Sequence, residues 1–83
     1  MQQNYPNPFN PTTVILYTLP VSSYIELSIY NLLGQKVATL VSEKQPAGSY
    51  KVQWDASNFP SGIYYYALKV GDLKQVRKML LVR

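Results

Sequence analysis

The chain has 83 residues, 47% of them hydrophobic and 13% aromatic, with a formal net charge of +4 and neither cysteine nor histidine. The length predicts one domain, and the lack of cysteine excludes disulfides and thiolate metal sites as sources of stability. The lack of histidine removes the commonest metal ligand and the usual general base, so the core must form by aliphatic and aromatic packing alone.

The chain begins with a proline-rich segment, NYPNPFNPTT, from Asn4 to Thr13. Its three prolines disfavour a helix and remove backbone donors that a strand needs. The segment also carries two large aromatic residues, Tyr5 and Phe9. We expect both side chains to fasten an extended junction to the domain, while the prolines block edge pairing. The sequence therefore predicts a junction or linker over residues 1–11 and a β-sandwich over residues 12–83.

Five segments after this junction alternate apolar and polar residues with the two-residue period of a strand that has one buried face. Turn residues separate them at about 8–12-residue intervals, as in an all-β sandwich or barrel. Gly34 is expected to supply the positive φ of a hairpin turn. The side chains predicted to face the core are, in chain order, Ile15, Tyr17, Leu19, Ile25, Leu27, Ile29, Val37, Tyr50, Val52, Trp54, Tyr64, Tyr66, Leu68 and Val70.

The last predicted strand, about Gln75 to Val82, differs because Met79-Leu80-Leu81-Val82 is apolar on both faces. That pattern is typical of a strand buried on both sides, or of one that awaits a partner. Six or seven short strands without a sustained helical period predict an all-β fold. The specific prediction is an immunoglobulin- or fibronectin-like antiparallel β-sandwich of about seven strands.

Basic residues concentrate near the C-terminal end of the sequence. The last fifteen residues contain one acid, Asp72, and five cations: Lys69, Lys74, Arg77, Lys78 and Arg83. Such an end could favour nucleic acid, an anionic membrane surface or an acidic partner protein. The interpretation we favour is that these cations keep a sheet edge soluble. No apolar run approaches the roughly 20 residues of a membrane span. Polar residues directly follow Met1, so no signal peptide is visible, and we expect the sequence to be part of a longer chain.

Candidate catalytic groups are few. The carboxylates are Glu26, Glu43, Asp55 and Asp72. No two of them follow a pattern that suggests a glycosidase pair, and no run of residues supplies the oxygen ligands of a calcium loop. The sequence therefore predicts no catalytic residue, no metal site and no cofactor site.

Three tyrosines, Tyr24, Tyr30 and Tyr65, are predicted to lie on outer sheet faces. One interpretation is a platform on which sugars or bases stack. The other, which we favour, is that exposed tyrosines pair across strands and stabilise the sheet.

Four blocks follow one another in a characteristic order: NYPNPFNPTT, YNLLGQKVATL, PAGSYKVQWDASNFPSGIYYYAL and the final RKMLLVR. In this order they resemble the C-terminal sorting domain (Por secretion tail) of proteins that the type IX secretion system of Bacteroidetes and relatives exports. The resemblance covers about Asn4 to Arg83. The strands are also similar to the immunoglobulin-like domain of flagellar hook-capping proteins, a relative in fold only.

The resemblance implies a non-catalytic signal at the end of a larger, N-terminal cargo protein. The cargo would cross the periplasm and reach the cell surface or the medium. The implied partners are an outer-membrane translocon, a shuttle protein and a sortase-like peptidase, and no nucleic acid is implied. Motif matching places the recognition segment at Lys78, Met79, Leu80, Leu81, Val82 and Arg83, and matches the turn positions Gly62, Gly71 and Asp72.

Three further expectations follow from the residues themselves. The apolar last strand predicts a weak homodimer by strand pairing. A cell-surface module that binds carbohydrate or protein is the main alternative function, and a structural spacer domain is another. A glycan titration distinguishes the sorting signal from the carbohydrate-binding module, since a sorting signal should show no saturable sugar binding.

Overall fold

The computed structural model describes residues 1–82, and within that range the chain contains strands and no helix. The strands in chain order are β1 (Thr12–Leu19), β2 (Ser23–Asn31), β3 (Lys36–Gln45), β4 (Gly48–Asp55), β5 (Gly62–Val70) and β6 (Leu73–Leu81). Strands β1 and β4 form one antiparallel sheet, and a second antiparallel sheet has the order β3-β2-β5-β6. The all-β antiparallel sandwich predicted from the alternation is confirmed.

Six strands, rather than about seven, form over the described residues. The N-terminal strap, as we call residues 1–11, makes two isolated bridges in place of a seventh strand. Tyr5 pairs antiparallel with Val14 of one sheet, and Phe9 pairs parallel with Leu81 of the other. The prolines of the strap explain why it makes two isolated bridges and no continuous strand, because proline cannot donate to a ladder.

One cluster of side chains from both sheets forms the core. The side chains predicted to face inward all belong to it or pack against it. Four of them are only partly buried: Val37, Tyr50, Val52 and Val70. Strands β3 and β4 have a neighbour on one side only, and Val70 is the last residue of β5. These four side chains therefore lie where the opposite sheet covers them less completely.

The outer face of the second sheet holds two buried exceptions to the simple alternation, Ser28 and its cross-strand neighbour Ala67. Ser28 lies on that face as expected, but it is buried. Its hydroxyl donates a hydrogen bond of 2.8 Å to the Glu26 carboxylate, and the same carboxylate accepts one of 2.6 Å from Lys36. Because β2 lies between β3 and β5, its small polar side chain is covered by its neighbours.

The β2–β3 hairpin confirms the turn predicted at Gly34, where φ is +82°. The Asn31 side-chain oxygen accepts hydrogen bonds from the backbone N–H groups of Leu33 and Gln35, both at 3.0 Å. An asparagine that binds its own turn in this way replaces the backbone partners that the turn lacks.

Candidate recognition site

The predicted recognition segment lies at the end of β6, the outermost strand of the four-stranded sheet. The β5–β6 register runs without a bulge from Gly62↔Leu81 to Val70↔Leu73. Gly71 and Asp72 form the turn between the two strands, with φ of +58° at Gly71. The motif-matched turn positions thus mark both ends of this hairpin: Gly62 begins β5, and the Gly71-Asp72 turn joins β5 to β6.

The side chains of the recognition segment divide between two faces. Met79 and Leu81 are each 1% exposed and belong to the core, whereas Leu80 is 39% and Val82 43% exposed. Lys78 is also exposed. Of the two interpretations of this apolar strand, burial on both faces is wrong, because β6 has the other sheet on one side and solvent on the other.

In the folded domain a partner can contact Lys78, Leu80 and Val82, which recur with the two-residue period of one strand face. Met79 and Leu81 instead hold β6 against the core. Arg83, the last predicted recognition residue, lies outside the described residues.

The backbone edge of this segment is already paired with the N-terminal strap. Phe9 donates its N–H to the Leu80 carbonyl at 3.0 Å and accepts from the Val82 N–H at 2.9 Å. The Leu80 N–H donates to the side-chain oxygen of Asn7 at 3.0 Å. The expectation that the prolines block edge pairing is wrong here, because Tyr5, just before Pro6, pairs with one sheet and Phe9, between Pro8 and Pro11, pairs with the other.

A buried hydrogen-bond network fixes the strap. The Tyr66 hydroxyl accepts a 2.7 Å hydrogen bond from the Asn4 backbone N–H and donates one of 2.8 Å to the Gln2 carbonyl. The Asn4 side-chain amide donates to the Thr13 hydroxyl at 2.8 Å. Asn4, Thr13 and Tyr66 are all buried. Burial raises the pKa of Tyr66, although the hydrogen bond from Asn4 opposes that shift.

The aromatic side chains of the strap differ in their roles. Phe9 is 1% exposed and contacts Trp54, with ring centroids 5.8 Å apart, as an anchor should. Tyr5 is 54% exposed, so the prediction that its side chain anchors the strap is wrong. Its contribution is the backbone pairing with Val14, which any residue except proline can make.

Sequence reasoning missed Asn4, Asn7 and Thr13 as structural residues. One signal pointed to such partners: Tyr66 was predicted to face inward, and a buried tyrosine hydroxyl normally finds a hydrogen-bond partner. The identity of the partner was not predictable, because the strap lies more than sixty residues away in the sequence.

The outer face of the four-stranded sheet is cationic. Glu26 is paired with Lys36 at 2.6 Å, and this hydrogen bond, followed by that from Ser28, lowers the pKa of the Glu26 carboxyl. Lys69 and Lys74 are cross-strand neighbours. The Lys74 Nζ atom also lies 5.5 Å from the centre of the Tyr30 ring.

The three outward tyrosines do not form one platform. Tyr30 and Tyr65 are cross-strand neighbours, as the pairing interpretation expects. Tyr24 is six residues from Tyr30 on the same strand, about 20 Å away at strand spacing, and its hydroxyl lies 3.0 Å from that of Ser42. No shared sugar-stacking surface follows from this arrangement.

The carboxylates likewise stay apart. Within residues 1–82, acidic side chains form no group of three or more that would hold a metal ion. The Asp55 carboxylate accepts from the hydroxyl and the backbone N–H of Ser57, which lowers its pKa and caps the local turn. Over the same range, no helix has the length and apolar character needed to cross a membrane.

A protein-family model matches most of the chain. A family model described as the secretion system C-terminal sorting domain matches residues 3–82. No curated protein matches the chain.

Proposed function

Because the chain belongs to the family of secretion system C-terminal sorting domains, we propose that it directs an N-terminal cargo protein through the type IX secretion system. The signal itself is non-catalytic. The cargo would pass the periplasm and arrive at the cell surface or in the medium. The observation that carries the proposal is the match over residues 3–82, which includes all of the strap except its first two residues and the whole of β6.

We propose that the secretion machinery reads the exposed side of the C-terminal segment, Lys78 to Arg83. Leu80 and Val82 offer exposed apolar contacts, and Lys78, on the same face, offers a charge. Buried apolar contacts would supply affinity, and the cation would orient the domain on an acidic receptor surface. The outer-membrane translocon, the shuttle protein and the sortase-like peptidase are the candidate readers.

We also propose that residues 1–11 connect the cargo to the sorting domain of residues 12–83. The strap supports this role because it is fastened to both sheets, through Val14 and through Leu81. A force that pulls on the cargo would then act on the backbone hydrogen bonds of the strap before it acted on the core.

A homodimer that forms by pairing of Met79–Val82 remains a prediction, and in this structure it requires that the strap first leave the strand edge. The outward backbone groups of Leu80 and Val82 already bind the strap. A second chain would have to displace Asn7 and Phe9 before it paired there. Light scattering at rising concentration, with the strap intact and with Phe9→Ala, tests this requirement.

The export test is a reporter fused before the chain in a bacterium with a working type IX system. Deleting Lys78–Arg83 is expected to abolish surface delivery and leave the reporter in the periplasm. This deletion also removes the core residues Met79 and Leu81, so loss of folding would imitate loss of recognition.

Variants of the exposed face separate the two causes. Leu80→Asp combined with Lys78→Glu is expected to reduce surface delivery while circular dichroism stays unchanged, because both side chains are exposed. Val21→Asp with Lys51→Glu is the matched control, since it makes the same chemical changes at exposed positions elsewhere. Full delivery of the first variant, or equal loss with the control, would contradict recognition through this face.

A further inference from the structure

The strap covers only the end of the β6 edge. The hydrogen bonds of Leu80 and Val82 show that the even-numbered residues of β6 direct their backbone groups away from β5. The β5–β6 register has no bulge, so this alternation continues back along the strand to Lys74 and Val76. No hydrogen bond from another described segment reaches the outward backbone groups of those two residues.

The contacts between strap and strand end at the same place. Gln3 donates its side-chain amide to the Lys78 carbonyl at 2.8 Å, and Arg77 donates to the Met1 carbonyl at 3.1 Å. Beyond these contacts, the stretch Leu73–Val76 is exposed. An exposed strand with unpaired backbone groups is a template for another extended chain.

An apolar groove lies beside this open edge. It has a volume of about 220 Å³. Leu73 and Gln75 of β6 line it together with residues of β1, of β5, of the loop after β1 and of the strap: Thr18, Leu19, Leu68, Val70, Pro20 and Met1. The groove therefore runs between the facing edges of the two sheets. A strand added to β6 would direct every second side chain toward it.

The opposite side of the same edge is cationic. Lys74 and Lys78 lie on the outer face of β6, and Lys69 is the cross-strand neighbour of Lys74. The carboxylate of Glu26, the cross-strand neighbour of Lys69, is held by Lys36. Asp72, in the turn before Leu73, is the one acid adjacent to the site in the sequence. An added strand would place its remaining side chains beside these lysines.

We infer that the open edge of β6, Leu73–Val76, is a binding site for an extended, acidic strand of a partner protein. The ligand alternates acidic side chains, which face Lys74 and Lys78, with apolar side chains, which enter the groove. Backbone pairing supplies affinity, and the alternation supplies specificity. The site shares Lys78 with the proposed export signal, but its tests measure peptide binding and not delivery, so its failure would leave the export proposal standing.

The test uses an acetylated and amidated octapeptide that alternates Glu and Val, titrated into the ¹⁵N-labelled chain. The control peptide alternates Lys and Val. The Glu-Val peptide is expected to shift the amide resonances of Lys74, Val76 and Lys78 saturably, and to slow hydrogen exchange at Lys74 and Val76. The Lys-Val peptide is expected to bind at least about tenfold more weakly, because like charges face each other.

Val76→Pro tests the backbone pairing directly. The N–H of Val76 points away from β5, so proline removes no hydrogen bond of the domain, and edge strands tolerate it there. Peptide binding is expected to disappear while circular dichroism and Trp54 fluorescence stay those of the folded chain.

Charge reversal gives a second variant if Val76→Pro fails to fold. Lys74→Glu with Lys78→Glu is expected to weaken binding of the Glu-Val peptide about tenfold or more and to strengthen binding of the Lys-Val peptide. Lys44→Glu with Lys51→Glu makes the same change in net charge on exposed positions of β3 and β4, and should leave binding unchanged.

Four results of the peptide experiments would overturn the inference. These are no saturable binding, shifts that map away from β6, binding that survives Val76→Pro in a folded variant, and equal loss in the two charge-reversed pairs. A dimer that forms through Leu73–Val76 without peptide would also overturn it, because the occupant would then be a second copy of the chain.

Discussion

The hydroxyl group of Tyr66 shows how one atom links distant parts of this chain. Tyr66 lies on β5 and is fully buried, yet its hydroxyl bonds to the backbone of Gln2 and Asn4. Neither of these backbone groups belongs to a strand ladder. The side chain therefore supplies partners that secondary structure does not provide, as buried backbone groups require.

Tyr66→Phe is expected to destabilise the domain by about 1–3 kcal/mol, because it leaves the buried Asn4 N–H without its acceptor. Urea denaturation followed by Trp54 fluorescence measures the change in free energy of unfolding. Tyr65→Phe is the matched control on the outward face of the same strand, and should stay within about 0.5 kcal/mol. Equal effects of the two substitutions would contradict a specific role for the Tyr66 hydroxyl.

Glu26 gives a pH dependence with a definite sign. Hydrogen bonds from Lys36 and then Ser28 lower the pKa of its carboxyl in the folded state. A lowered folded-state pKa stabilises the fold above the ordinary glutamate pKa of about 4.3, and this stabilisation is lost as the pH falls further.

We therefore expect the urea midpoint to fall between pH 5 and pH 3, and to fall less in Glu26→Gln. Glu43→Gln is the control, because no described side-chain hydrogen bond or ion pair involves Glu43. If Glu26→Gln lost as much stability in acid as the unmodified chain, the ionised pair would not contribute.

At the scale of elements, the strap is the unit that joins the two sheets by their edges. It pairs with β1 through Tyr5 and with β6 through Phe9. Because edge strands present unpaired backbone groups, a segment that covers two edges also protects the domain from pairing with other chains. The strap leaves Leu73–Val76 uncovered, which is why that stretch is the site inferred above.

Phe9→Ala is expected to cost about 3–5 kcal/mol, since it removes a fully buried aromatic side chain from the core. The backbone bonds of Leu80 and Val82 should open more often, so hydrogen exchange at their amides should accelerate. Tyr5→Ala, at an exposed aromatic of the same strap, is the control and should leave exchange at these amides unchanged. Unchanged exchange in Phe9→Ala would mean that the side chain does not hold the strap in place.

At the scale of the whole molecule, Trp54 packs where strap, sheet and loop meet. Its ring centroid lies 5.8 Å from that of Phe9, 5.4 Å from that of Phe59 and 5.7 Å from that of Tyr64. These residues come from the strap, the β4–β5 connection and β5. An 83-residue chain without cysteine has no disulfides and can form only a small core. This aromatic cluster is therefore a main source of the stability of the fold.

Trp54→Ala is accordingly expected to cost about 3–5 kcal/mol, a large part of the roughly 5–15 kcal/mol typical of a domain. Thermal unfolding by far-ultraviolet circular dichroism measures it. Leu33→Ala, at an exposed turn position, is the control and should change stability by less than about 0.5 kcal/mol. A cost below about 1 kcal/mol for Trp54→Ala would place Trp54 outside the core.

The contacts of the first residues bear on the proposed attachment of a cargo. Met1 and Gln3 contact Arg77 and Lys78. The start of the chain therefore lies beside the strand that we propose as the signal. Cargo attached at the N-terminal side would emerge next to that strand, where it can limit or favour access by a partner.

The sequence by itself determined the strands, most turns and the inward faces, because the two-residue period and the turn chemistry depend on neighbouring residues only. The tertiary structure decided the features that depend on contacts between residues far apart in the sequence. It made β6 an outermost strand, so that Met79 and Leu81 are buried while Leu80 and Val82 stay exposed. It also buried Asn4 under Tyr66 and left Tyr5 in solvent. Local patterns do not specify which strands become neighbours, and the partners of a sheet edge depend on that arrangement alone.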